Sequence, residues 1–126
     1  VTEQQLLAEL ETMGITVETH KLTGTLRGYY NHRERLIVIR QGLSYPQRRT
    51  ALAHELVHAR RGDDGHQGPQ VERRVNQATA RLLISPIEYA LAERIHGPNV
   101  AAIARELDVT QALVQAYVSL LQIVQC

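Results

Sequence analysis

The segment from Arg49 to Ala59 contains no Gly or Pro, and it carries His54-Glu55-Leu56-Val57-His58. Wound as a helix, it places residues four apart on one face, with about 6 Å between their Cβ atoms. His54 and His58 can then bind one divalent metal. Glu55 lies one position beyond the first His, placed to hold a metal-bound water and take its proton. The pattern points to a zinc hydrolase that uses water as the nucleophile. Two His and a Glu on a helix also occur as an ordinary solvated face. The context argues against that reading, because Leu52, Leu56 and Ala59 recur at helical spacing and give the helix a core side. Its ends are marked as well: Ser44 can cap it, Pro46 suits its first turn, and Gly62 stops it.

A chain of 126 residues can bury one sizeable core, and a single domain over 1–126 is expected. Apolar residues make up 44% and charged residues 21%, as in a soluble globular protein. With no Trp or Phe, the core must be built from Leu, Ile, Val, Ala and a few Tyr. The net charge of +1 argues neither for nor against nucleic acid. The lone Cys126 excludes a disulfide within the chain, which fits a reducing cytosol. No apolar run approaches the ~20 residues of a membrane span, and no signal-peptide pattern precedes the first helix. A cytoplasmic protein is the expectation.

Taken in order, residues 2–13 read as a helix, with Thr2 and Gln5 as a capping box and Gly14 as the stop. Residues 15–22 alternate like a short strand. Leu26–Tyr30 and Arg35–Arg40 flank Asn31-His32-Arg33-Glu34, which reads as a hairpin turn with His32 solvated. The motif helix covers 46–61, and 62–68 is a loop by composition. Pro69 opens a helix running from Gln70 to about Ile84. Ser85-Pro86-Ile87-Glu88 opens another, to about His96, before Gly97-Pro98 breaks it. Asn99 caps a helix to about Leu107 and Thr110 a last one to about Val124. The expected architecture is α+β: a helix, a small antiparallel sheet packed on the motif helix, then helices.

A catalytic zinc takes three protein ligands and keeps a position for water. Asp63, Asp64, His66 and Glu72 follow the motif as candidates for the third. Asp64 stands ten residues after His54, as in metzincin-type proteases, but that pattern needs Gly where this chain has Arg61. His66 is a suitable ligand on a loop. Glu72 is preferred: it lies on a following helix that can return antiparallel, with Asn76 one turn later to orient a ligand His. The competing reading pairs Glu72 with Arg73, Arg74 or Arg49 on a charged surface. The Arg pairs at 48–49, 60–61 and 73–74 read as solvated helix faces.

The two segments Ala51–His58 and Glu72-Arg73-Arg74-Val75-Asn76-Gln77-Ala78-Thr79-Ala80-Arg81-Leu82-Leu83-Ile84-Ser85-Pro86 together resemble the ImmA/IrrE family of metallopeptidases. Val75, Ala78 and Ile84-Ser85 depart from the family's Ala, Phe and Met, all at packing positions. The resemblance implies a zincin-like minimal metallopeptidase core over 1–86 and a helical subregion over 87–126. It implies one zinc per chain held by His54, His58 and Glu72, with Glu55 as general base and Asn76 behind the ligands. It also implies a protein substrate, often a helix-turn-helix repressor of a phage or mobile element, whose cleavage relieves repression of transcription. Tyr45, Tyr89, His66 and His96 are candidates for stabilising the oxyanion, and a strand, Leu36–Ile39 or its partner, for holding the substrate extended.

Residues 103–114 have helix-turn-helix spacing, with Asp108 where a turn Gly is usual. No Lys or Arg follows Arg105, so phosphate contacts are lacking and a nucleic-acid partner is not expected. The last helix is apolar on more than one stripe, which suggests a face for a partner or a second copy of the chain. The alternative to an endopeptidase is a non-catalytic module of the same fold that binds a repressor or DNA.

Overall fold

The computed structural model describes residues 1–65 and 67–125; His66 and Cys126 lie outside it, as do the side chains of residues 123–125. The elements run α1 (Glu3–Thr12), β1 (Thr16–His20), β2 (Gly28–Asn31), β3 (Leu36–Arg40), α2 (Tyr45–Arg61), α3 (Pro69–Leu83), α4 (Pro86–His96), α5 (Val100–Leu107) and α6 (Gln111–Gln125). The chain is thus a small α+β protein.

Local chemistry explains most boundaries. Thr2 and Gln5 form a reciprocal capping box on α1, and Ser44 and Gln47 form one on α2. Ser85, Asn99 and Thr110 cap the starts of α4, α5 and α6. The hairpin turn occupies residues 32–35, one residue beyond the expected start, and Arg35 adopts a left-handed φ of 53°.

The sheet is mixed rather than antiparallel. Its order is β1-β3-β2, with β2 antiparallel to β3 and β1 parallel to it. Residues 21–27 carry the chain from β1 past the end of β3 to the far edge, so β1 and β3 run the same way. Arg40 holds that loop in place, donating to the carbonyls of Leu22, Thr23, Gly24 and Leu26.

Ile37 and Ile39 of β3, Leu6 and Leu10 of α1, and Leu52 and Leu56 of α2 meet in the core. Each such side chain contributes about 1.5–3 kcal/mol on burial. α2 packs against α1, α3, β2 and β3, so it is enclosed on most sides. The last helix is less free than its composition suggests. Leu113, Val114, Tyr117 and Leu120 are buried, and α6 packs on both α3 and α5. Among the described residues, the exposed large apolar side chains on helices beyond α2 are Ile87, Leu91 and Ile95 of α4.

Of the Arg pairs, Arg48 binds Glu3 and Arg60 binds Glu9, tying α2 to α1. Arg49 is buried. It donates to the carbonyls of Leu107 and Asp108, at 3.0 and 3.2 Å, and to that of Val1 at 2.7 Å. One guanidinium therefore closes the end of α5 and the left-handed turn at Asp108 (φ 54°) onto α2. Arg49→Ala should lower unfolding free energy in urea by on the order of 3 kcal/mol. Arg49→Lys should recover less than half of it, since an ammonium lacks the planar fork.

Candidate metal centre and cleft

α2 delivers His54 and His58 on one face, and their ring centroids lie 4.9 Å apart. α3 returns alongside and brings Glu72 from its first turn, where the helix dipole favours a carboxylate. One Glu72 oxygen lies 2.9 Å from His58 Nε2 and the other 3.5 Å from His54 Nε2. Ligand atoms of the three residues all fall within 4.8 Å of one another. A tetrahedral centre with bonds of about 2.0–2.2 Å places its ligands roughly 3.3–3.6 Å apart, so this donor set can hold a metal ion with small adjustments. Two imidazoles and a carboxylate also suit zinc chemically.

The second carboxylate comes from the helix end. Gly62 adopts φ 73°, and its amide bonds to the Ala59 carbonyl while that of Asp63 bonds to the His58 carbonyl. This is a Schellman stop. It folds Asp63 back over the helix, where its Oδ2 lies 2.9 Å from His58 Nδ1 and accepts from Arg61 Nε at 2.8 Å. Burial alone would raise the Asp63 carboxyl, but the bonds from His58 and Arg61 outweigh it and hold the pKa below its usual value. Asp63 thus directs the other nitrogen of His58, Nε2, toward Glu72. The sequence offers Asp63 as a metal ligand; the structure places it behind one. Asp64 turns elsewhere, accepting from the His32 amide at 3.3 Å, while His32 Nδ1 meets the Tyr30 hydroxyl at 2.8 Å.

Burial lowers the pKa of His54, and the neighbouring His58 adds to this; bonds to Glu72 and Asn76 partly offset both. Asn76 therefore touches His54 from one turn beyond Glu72. Glu55 is buried, and burial, followed by the negative charge of Glu72, pushes its carboxyl up to about 8.

Two clefts meet at this point. One, of about 810 Å³, is lined by His54, Glu55, His58, Asp63, Asp64 and Glu72 together with β2. The other, of about 570 Å³, runs from His54, Glu55 and Asn76 between the 23–28 segment and the start of α6. β2 borders both. A Cβ at Gly28 would lie 2.9 Å from the Val38 carbonyl oxygen and 3.1 Å from Ile39 Cδ1, so glycine lets this strand sit tight against β3, while Glu55 Cγ lies at an ordinary contact distance of 3.7 Å. Nothing in the sequence pattern marked that approach beyond the glycine itself.

Three expected auxiliary groups are not brought here. Tyr89 is buried against Tyr117 and donates to Glu93, His96 faces Glu106, and Tyr45 is exposed; none of them lines either cleft. His66 lies outside the described residues.

A family model described as the IrrE N-terminal-like domain, in the peptidase M78 group, matches residues 10–117. No curated protein matches the chain significantly.

The Glu55 shift has a measurable sign. Its folded pKa of about 8 exceeds the ordinary 4.5, so the native metal-free protein binds more protons between those values. Stability from this group is therefore full below 4.5 and lost as pH rises through 8. His54, shifted down, acts in the opposite direction below 6.5. Comparing metal-free wild type with Glu55→Gln isolates the carboxyl: the variant should gain thermal stability relative to wild type as pH rises from about 5 to about 8.

Proposed function

The chain belongs to the peptidase M78 family, and on that premise we propose that it is a zinc-dependent endopeptidase. The observation that carries the reading is the convergence of His54, His58 and Glu72, from two helices, beside a buried Glu55. The family supports a metallopeptidase-like activity, and the geometry supports a site in which water is the nucleophile.

His54 Nε2, His58 Nε2 and Glu72 would hold the zinc. When bound, zinc supplies Lewis acidity that polarises a carbonyl and lowers the pKa of water toward neutrality. Glu55 accepts the proton of the attacking water and returns it to the leaving amine. Asn76 and Asp63 orient the two imidazoles.

The sheet topology supports an extended substrate. β3 has neighbours on both sides, so Leu36–Ile39 cannot accept another strand. β2 has its outer edge unpaired in the sheet and runs beside Glu55, which favours strand addition there. An edge strand beside the motif helix supports the zincin-like reading. The substrate we propose is a protein, with a helix-turn-helix repressor as the first to test, on the family resemblance. The lack of basic residues after Arg105 supports no DNA role for α5 and α6.

Purified without a His tag, wild type and Glu55→Gln should each carry about one zinc per chain by metal analysis, and His58→Ala should carry far less. Mapping of new protein N-termini in expressing cells should find cleavages in wild type that fall at least about 100-fold in Glu55→Gln. Equal cleavage by that variant would overturn the mechanism. Asp63→Asn should keep the fold while weakening zinc affinity about 10–100-fold in a chelator competition.

A further inference from the structure

The 570 Å³ cleft has a composition of its own. Leu26, Ala51, Ala112, Leu113 and Ala116 form the apolar part of its lining, and four threonines, Gln47 and Arg27 form much of the rest. No acidic side chain other than Glu55 lines it, whereas the neighbouring cleft holds Asp63, Asp64 and Glu72 as well. The small side chains of Ala51, Ala112 and Ala116 leave the space open. The wall is also built in advance. Arg40 fixes the 22–26 loop through four carbonyls, and Arg49 fixes the α5–α6 turn that starts the opposite wall.

We propose that this cleft is a side-chain subsite, in which α6 and the 23–28 segment receive an aliphatic residue flanking the scissile bond. The inference rests on the endopeptidase reading for the word scissile, and on the lining alone for the ligand chemistry. Both clefts share Leu26, Gly28, His54 and Glu55, so a peptide lying along the β2 edge with a carbonyl at His54 and Glu55 would have this space beside it for a neighbouring side chain. A Leu, Ile or Met side chain would bury apolar surface against alanines and leucines, while a carboxylate would lose its water with no cation among the lining side chains but Arg27. The C-terminal helix pair thereby acquires a role as the selective wall of the site.

The test uses two probes. In solution NMR of the full chain, with and without zinc, N-acetyl-leucinamide should shift the amides of Ala112, Leu113, Ala116 and Leu26, and N-acetyl-aspartamide should not. Ala112 is exposed, so Ala112→Phe should fold while narrowing the cleft; it should weaken leucinamide binding by at least about tenfold. With a randomised peptide library, wild type should select aliphatic residues at one position beside the cut, and the variant should shift that choice to Gly or Ala with zinc affinity unchanged. Leucinamide shifts that are absent or lie elsewhere, or a library profile indifferent to Ala112→Phe, overturn the subsite. Mapped leucinamide binding with no library cleavage would instead overturn the peptidase and leave the subsite standing.

Discussion

A helix enclosed on most sides that carries two imidazoles and a carboxyl must find each a partner or suppress its charge. That constraint governs the molecule. α2 must be apolar enough to form the centre of the core, through Leu52, Leu56 and Ala53, and must also present His54, Glu55 and His58 to one opening. The partners come from what packs around that face: Glu72 and Asn76 from α3, Asp63 from the helix end. Glu55 is left with desolvation and a like charge, and it responds by holding its proton. A carboxyl with that property beside a set of residues able to hold a metal is a candidate functional group.

The surrounding elements follow from the same requirement. β2 runs beside Glu55, and Gly28, lacking a side chain, lets it sit tight against β3. α3 must run back along α2 to bring in its carboxylate, and α6 then packs on α3. Arg49 closes the far end, so the helix that bears the site also anchors the C-terminal helices. Elements from the start, middle and end of the chain thus converge on a single helix.

What the sequence makes legible is local. Helix starts at Thr2, Ser44, Ser85, Asn99 and Thr110 are written in their hydroxyl and amide side chains, and the motif residues meet because four-residue spacing on a helix permits little else. Glu72 is legible as a candidate because a catalytic zinc takes three protein ligands and the helix that follows the loop can return antiparallel. The parallel pairing of β1 was not, since it depends on where a loop crosses rather than on strand residues. Arg49 reads as a surface residue because an Arg pair on a helix carries no mark of the carbonyls that will surround it. α6 reads as a partner face because apolar stripes do not say whether the neighbour is another helix of the same chain. The roles of Asp63 and Gly28 depend on distances between segments, which spacing along the chain does not encode.

The Schellman stop at Gly62 gives the last turn of α2 an unusual standing. Helix ends ordinarily fray with no effect beyond themselves. Here one of the two amides that close the turn belongs to Asp63, whose carboxylate also holds Nδ1 of the His58 ring. Opening the turn releases Asp63 from His58 Nδ1 and leaves the imidazole held through Nε2 by Glu72. The local opening equilibrium of one helix end is thereby coupled to the orientation of the His58 ring, and hydrogen exchange at those two amides reports on that coupling.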